Sequence, residues 1–256
     1  TPMSPETIFR IYSMSKPIVS VATMQLVEDG KLALEDPLSK YIPEFAAPKV
    51  LEGKGKTRPA AREITIRSLL SHASGMIYGL FDQQSELGKQ YMAAGDTRFD
   101  FTALDLAKSI AKLPLEFDPG TSWRYSRSTD VLGAVLEIAS GKKLDALLQD
   151  EIFTSLGMDD TPFYLEADEA TRLAEPPATL KAALSAPKVA QPMLSGGGGL
   201  NSTTEDYFRF VEMLRGKSSR EIIAWLGVPF WRMPLIAADI RRLKSQNIDR
   251  IPLFAG

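Results

Sequence analysis

The chain has 256 residues, 44% hydrophobic and 24% charged, and a net charge of −2 from 30 basic and 32 acidic side chains. That is an ordinary globular composition without the basic excess that a nucleic-acid or anionic-membrane partner would require. With no cysteine and one histidine, His72, disulfides, thiolate catalysis and His/Cys metal sites are excluded. No apolar run reaches the ~18 residues of a membrane span. The chain starts at Thr1 rather than methionine, so the absence of a signal peptide leaves export open, with a cytoplasmic location slightly favoured.

In chain order, the first predicted helix opens around Ser13-Met14-Ser15-Lys16-Pro17. Pro17 is tolerated there because first-turn amides have no intrahelical partner. Ile18, Val19, Ala22, Leu26 and Val27 form its apolar face, and Gly30 is expected to end it. Leu32 to Phe45 reads as a connector, and the charged stretch Pro48 to Arg62 as a loop. Thr65 is expected to cap a short helix running to Leu70, with Gly75 and Gly79 breaking the pattern after it. Leu80 to Phe101 carries no clear period. Thr102 is expected to cap an amphipathic helix ending before Pro114, and Asp118-Pro119-Gly120 to turn. Further helices are predicted over Asp130–Ala139, ended by Gly141, and over Leu144–Leu156, ended by Gly157. Pro176, Pro177, Pro187 and Pro192 mark an irregular region, Ser195 to Gly199 is glycine-rich, and a last helical pattern runs from Thr204 to Leu214.

Ser13 and Lys16 are three residues apart and so share one helical face. A hydroxyl is a weak nucleophile until a neighbouring base takes its proton, and an unprotonated amine can do that. A bare Ser-x-x-Lys arises often by chance, and either serine could simply cap the helix. The second component is Tyr125, in Trp123-Arg124-Tyr125-Ser126, between a turn and a helix. A tyrosine beside a lysine can relay protons, so Ser13, Lys16 and Tyr125 would supply nucleophile, base and relay without histidine.

With these motifs the chain resembles the serine β-lactamase/penicillin-binding-protein superfamily, and within it the class C-like proteins and family VIII carboxylesterases. The resemblance runs over most of residues 6–216: Thr7 to Arg10, Ser13 to Pro17, Leu69 to Gly75, Tyr125-Ser126, Asp130 to Gly133, Ile152 to Met158 and Gly196 to Leu200. It implies an α/β fold with a helical domain beside an antiparallel sheet, part of which this chain does not account for. It also implies an acyl-enzyme mechanism on Ser13, with Lys16 and Tyr125 moving the proton and the Ser13 amide donating to the oxyanion. No cofactor or metal is implied, and the expected partner is a small-molecule ester, with no expectation for oligomeric state.

Two departures shape the expectation. Many members carry Tyr-x-Asn, whereas this chain has Tyr125-Ser126-Arg127, which favours the carboxylesterase branch over β-lactam or D-alanyl peptide hydrolysis. A third motif is missing after residue 216; Ala224-Trp225-Leu226-Gly227 is only a faint echo. Residues 1–216 are therefore read as the catalytic region and 217–256 as an unassigned segment of the same domain. A catalytically impaired, truncated binding or scaffold protein is the alternative of a different class. His72 is expected to serve structurally, and the chain lacks a Gly-x-Ser-x-Gly elbow for a Ser-His-Asp triad. Asp118 and Asp130 are expected to be turn and helix-cap residues, Trp123 a core aromatic or a pocket wall, and Gly196 to Gly199 a site of close backbone packing.

Overall fold

The computed structural model describes residues 3–53, 55–176, 179 and 190–215. Its centre is helix α5 (Ser128–Ser140), whose first nine residues are all buried. α5 packs against α1 (Ser15–Glu28), α2 (Ile66–Leu70), α4 (Ala103–Ile110) and α6 (Leu144–Leu148). Ile18, Val19, Ala22 and Leu26 of α1 and Val131, Leu132, Val135 and Leu136 of α5 belong to this core. Gly133 permits the contact with α6, because a Cβ there would lie 3.2 Å from Leu144 Cδ2.

The expected helix signals operate as local chemistry. Thr65 and Thr102 cap α2 and α4 with reciprocal capping boxes, Oγ1 of each accepting the N3 amide. Gly30, Gly141 and Gly157 have positive φ at the ends of α1, of α5 and of the α6–α7 run, α7 being Thr154–Leu156. That run contains a π-helical turn over Gln149–Phe153.

Three expectations change. The stretch from Pro48 to Arg62 is not a loop but an antiparallel hairpin, β2 (Lys49–Gly53) with β3 (Lys56–Pro59). Gly53 (φ 92°) and Gly55 (φ 76°) let the chain reverse, and a residue slip between Leu51 and Gly53 obscures the period-two pattern. The unassigned region Leu80 to Phe101 holds α3 (Glu86–Ala93), capped by Ser85 Oγ, which accepts the Gly88 N–H. Ser13 is not the cap of α1. It lies in a 3₁₀ turn, Tyr12–Met14, that runs into the helix.

β1 (Ile8–Arg10) pairs antiparallel with β4 (Asn201–Thr203), Arg10 opposite Asn201, and α8 (Thr204–Arg215) follows β4 directly. The described residues thus combine helices with two small antiparallel sheets, as the expected α/β fold requires. Pro177, Pro187 and residues 217–256, with the echo at Ala224 to Gly227, lie outside the described residues. Among the described residues, no helix is long and apolar enough to cross a membrane.

Candidate active site

The β1–β4 register places the chain after Arg10 opposite the chain before Asn201, and this juxtaposition creates the site. Ile11 N–H donates to the Leu200 carbonyl at 3.1 Å, and Leu200 N–H donates to Ser15 Oγ at 3.1 Å. Between these stitches Tyr12 adopts φ 43°, the left-handed region that costs a non-glycine residue roughly 1–3 kcal/mol. The kink lifts Ser13 to the surface while Ser15 and Lys16 turn inward and are buried.

All three residues proposed from sequence converge. Lys16 Nζ donates to Ser13 Oγ at 3.2 Å, and the Tyr125 hydroxyl is hydrogen-bonded to the same Oγ. Lys16 Nζ also donates to the Gly197 carbonyl at 2.5 Å and lies 4.6 Å from the centre of the Tyr125 ring. Ser13 Oγ thus has a basic nitrogen and a phenol within one hydrogen bond, as nucleophilic activation by a paired base requires.

Tyr125 is aimed by the loop after α2. Arg124 N–H donates to the His72 carbonyl at 3.0 Å, Ser126 N–H to His72 Nδ1 at 3.3 Å, and Arg127 N–H to the Ile77 carbonyl at 3.3 Å. The rings of His72 and Tyr78 pack against Tyr125 at 4.9 and 5.2 Å. Because Nδ1 accepts a backbone N–H, we assign the neutral ring's proton to Nε2. Burial, and then the nearby Lys16, push the His72 pKa down to about 4, so the ring is neutral at ordinary pH. His72 therefore has the structural role expected of it. Trp123, half-buried, lies edge-on to the His72 ring at 6.4 Å.

Behind the triad lies a buried polar cluster that sequence reasoning missed. Asp130 is not a simple cap residue: its fully buried carboxylate is a hub. Oδ1 accepts from Ser195 Oγ at 2.5 Å and from Gly197 N–H at 3.1 Å, and Oδ2 takes Arg127 Nη1 at 3.2 Å. Burial would raise the Asp130 carboxyl, but Arg127, Ser195, Lys16 and Gly197 outweigh it and hold it below the usual range. Arg127 also donates from Nε to Asp96 Oδ1 at 2.8 Å. The glycine-rich run permits this approach, as expected: a Cβ on Gly197 would stand 2.6 Å from Asp130 Oδ2 and 2.8 Å from Tyr78 Oη. No local pattern could have announced these contacts, since Asp130 meets partners 65 and 67 residues away. Asp118 is a turn residue as expected, and in addition binds Arg58 through both oxygens.

A cavity lined by Tyr12 and Gly198, the chain neighbours of Ser13 and Gly197, has a wall in which Phe99, Phe163, Met193 and Leu194 stand with Arg10 and Asn201. No cluster of side chains suited to a metal occurs among the described residues.

The family model Beta-lactamase matches residues 1–241. Protein Rv1367c of Mycobacterium tuberculosis is 36% identical over 226 residues, covering 84% of this chain and 55% of that protein. Esterase EstB of Burkholderia gladioli is 32% identical over 238 residues, covering 84% of this chain and 58% of the esterase. The solved structure of EstCE1, described as a hydrolase with promiscuous acyltransferase activity, superposes with a TM-score of 0.70 at 31% identity, covering 86% of this chain and 62% of its own. The chain thus spans somewhat more than half the length of these curated relatives. By sequence and fold, the chain belongs to the Beta-lactamase family.

Proposed function

We propose that the chain is a serine hydrolase that cleaves small acyl esters through an acyl-Ser13 intermediate. The observation that carries this reading is the shared Ser13 Oγ, hydrogen-bonded to Lys16 Nζ at 3.2 Å and to the Tyr125 hydroxyl. Lys16, as the free amine, takes the Ser13 proton while Oγ attacks the ester carbonyl. The Ser13 N–H donates to the oxyanion. As the tetrahedral intermediate collapses, the bond from the carbonyl carbon to the alkoxide breaks, and Tyr125 gives the departing oxygen a proton that Lys16 replaces. Water then attacks the acyl-enzyme by the same relay in reverse, releasing the acid and restoring Ser13.

Arg127 favours ester over β-lactam substrates. It stands where many relatives have an amide-bearing asparagine, and its guanidinium is engaged by Asp96 and Asp130. The esterase relative EstB supports the same branch. Acyl transfer to an alcohol is a second reading. The cavity lined by Tyr12, the chain neighbour of Ser13, offers space for an alcohol or an acyl chain, and EstCE1 is described as having acyltransferase activity.

The test is intact-protein mass after fluorophosphonate treatment, with peptide mapping, alongside p-nitrophenyl ester turnover. We expect one adduct, on Ser13. Ser13→Ala is expected to lose the adduct and at least about 10³-fold in kcat while keeping its circular dichroism. Wild-type turnover by Ser13→Ala would overturn the assignment. No adduct on a folded wild-type chain would favour the binding or scaffold reading.

A further inference from the structure

Lys16 Nζ is buried yet makes no ion pair among the described residues; its polar contacts are Ser13 Oγ and the Gly197 carbonyl. Two aromatic faces lie close to it, Tyr125 at 4.6 Å and Tyr78 at 5.5 Å from the ring centres. His72, on the α2 side, is neutral at ordinary pH. The charge that bears on Lys16 comes through one peptide group. Gly197 accepts from Lys16 with its carbonyl and donates to Asp130 with its N–H. Asp130 would favour a cationic Lys16, and an ammonium has no lone pair to take a proton from Ser13. Arg127 stands against Asp130 at 3.2 Å and over the Tyr78 ring at 4.6 Å, and Asp96 holds its other side at 2.8 Å.

We infer that Arg127 and Asp96 act on this site from a distance: Arg127, by compensating the charge of Asp130 behind the Gly197 peptide, keeps Lys16 available to take the proton of Ser13, and Asp96 moderates Arg127. Neither reaches the reacting atoms, so both are positioning residues. The inference rests on the acyl-serine reading above. The chain of charge runs Asp96, Arg127, Asp130, Gly197, Lys16, alternating in sign through groups that are fully or mostly buried. Burial makes such coupling stronger than at the surface, because water does not screen it.

The experiment is the pH profile of kcat/KM for p-nitrophenyl butyrate, measured on the full chain with Arg127→Met, Arg127→Lys and Asp96→Asn. Arg127→Met leaves Asp130 and Asp96 uncompensated, and the acid limb is expected to move up by about one pH unit or more. Asp96→Asn keeps an acceptor for Arg127 but removes the opposing charge, so its limb is expected to move down. Arg127→Lys keeps the charge without the two-sided contact, so its limb is expected between those of the wild type and Arg127→Met, and a limb beyond Arg127→Met would overturn the inference. Loss of packing lowers the plateau but cannot move two limbs in opposite directions. If Arg127→Met fails to fold, Asp96→Asn carries the test, and an unmoved or upward-shifted limb there overturns the inference. Ester turnover by the wild type with unmoved limbs in all variants would remove this inference alone. A folded wild-type chain with neither turnover nor a Ser13 adduct would remove it together with the acyl-serine reading.

Discussion

His72 combines three properties that make it measurable. It is the only histidine, it is buried, and its Nδ1 accepts a backbone N–H that orients Tyr125. Its folded-state pKa, near 4, lies below the unfolded value of about 6.5. Between those limits the unfolded chain binds a proton that the folded chain refuses, so stability falls as pH drops through that window. The slope is at most ~1.4 kcal/mol per pH unit, or about 2 kcal/mol between pH 7.5 and 5. Urea unfolding at the two pH values should show this loss in the wild type and its disappearance in His72→Gln. Asp206, raised by burial, acts in the opposite sense at more acid pH, and the wild-type-minus-variant difference removes it. An equal loss in both proteins would assign the pH dependence elsewhere. At this scale Ser13, Lys16 and Tyr125 could be singled out from sequence by residue type and motif, and the structure brings them together. Asp130, Tyr78 and the Gly197 carbonyl were not: a buried aspartate at the start of a helix has the same sequence signature as an ordinary cap.

Helix ends were legible for a related reason. Capping is a contact between residues three apart, and it needs only Thr65 with Ser68, or Thr102 with Asp105. Thr65→Ala should therefore destabilise the chain by ~1 kcal/mol while Thr65→Ser should not, as read from denaturant midpoints. Equal midpoints for the two variants would show that tertiary contacts, such as Leu38 N–H to the Ile64 carbonyl at 2.7 Å, hold α2 in place without the cap. The β2–β3 hairpin escaped the sequence for the opposite reason. Its strands are short, charged and mostly exposed, and their pairing is irregular at Leu51 and Gly53, so no alternation survives. What holds it is non-local: Leu51 N–H donates to the Leu115 carbonyl at 2.9 Å, and Leu115 N–H to the Lys49 carbonyl at 2.7 Å.

For the whole molecule, the groups of the candidate site come from three distant parts of the chain, around residues 13–16, 125–130 and 195–197, and α5 is where these parts meet. Leu132 sits in that helix with no exposed surface. Leu132→Ala should cost about 2–5 kcal/mol, depending on how far the cavity collapses. The urea midpoint should fall, and the helical circular-dichroism signal should be lost at a lower temperature than in the wild type. An unchanged midpoint would mean that α5 is not the keystone its burial implies. The sequence by itself determined the family, the threonine-capped and glycine-ended helix termini and the three candidate side chains, because these reside in residue type and short spacing. Only the tertiary structure decided that β1 pairs with β4, that this pairing sets Lys16 against the Gly197 carbonyl, and that Asp130 stands behind it with Arg127 and Asp96. Such contacts join residues up to 195 positions apart, as in the pairing of Ile8 with Thr203. Their formation depends on the packing of the whole core, and no local pattern of residues records it.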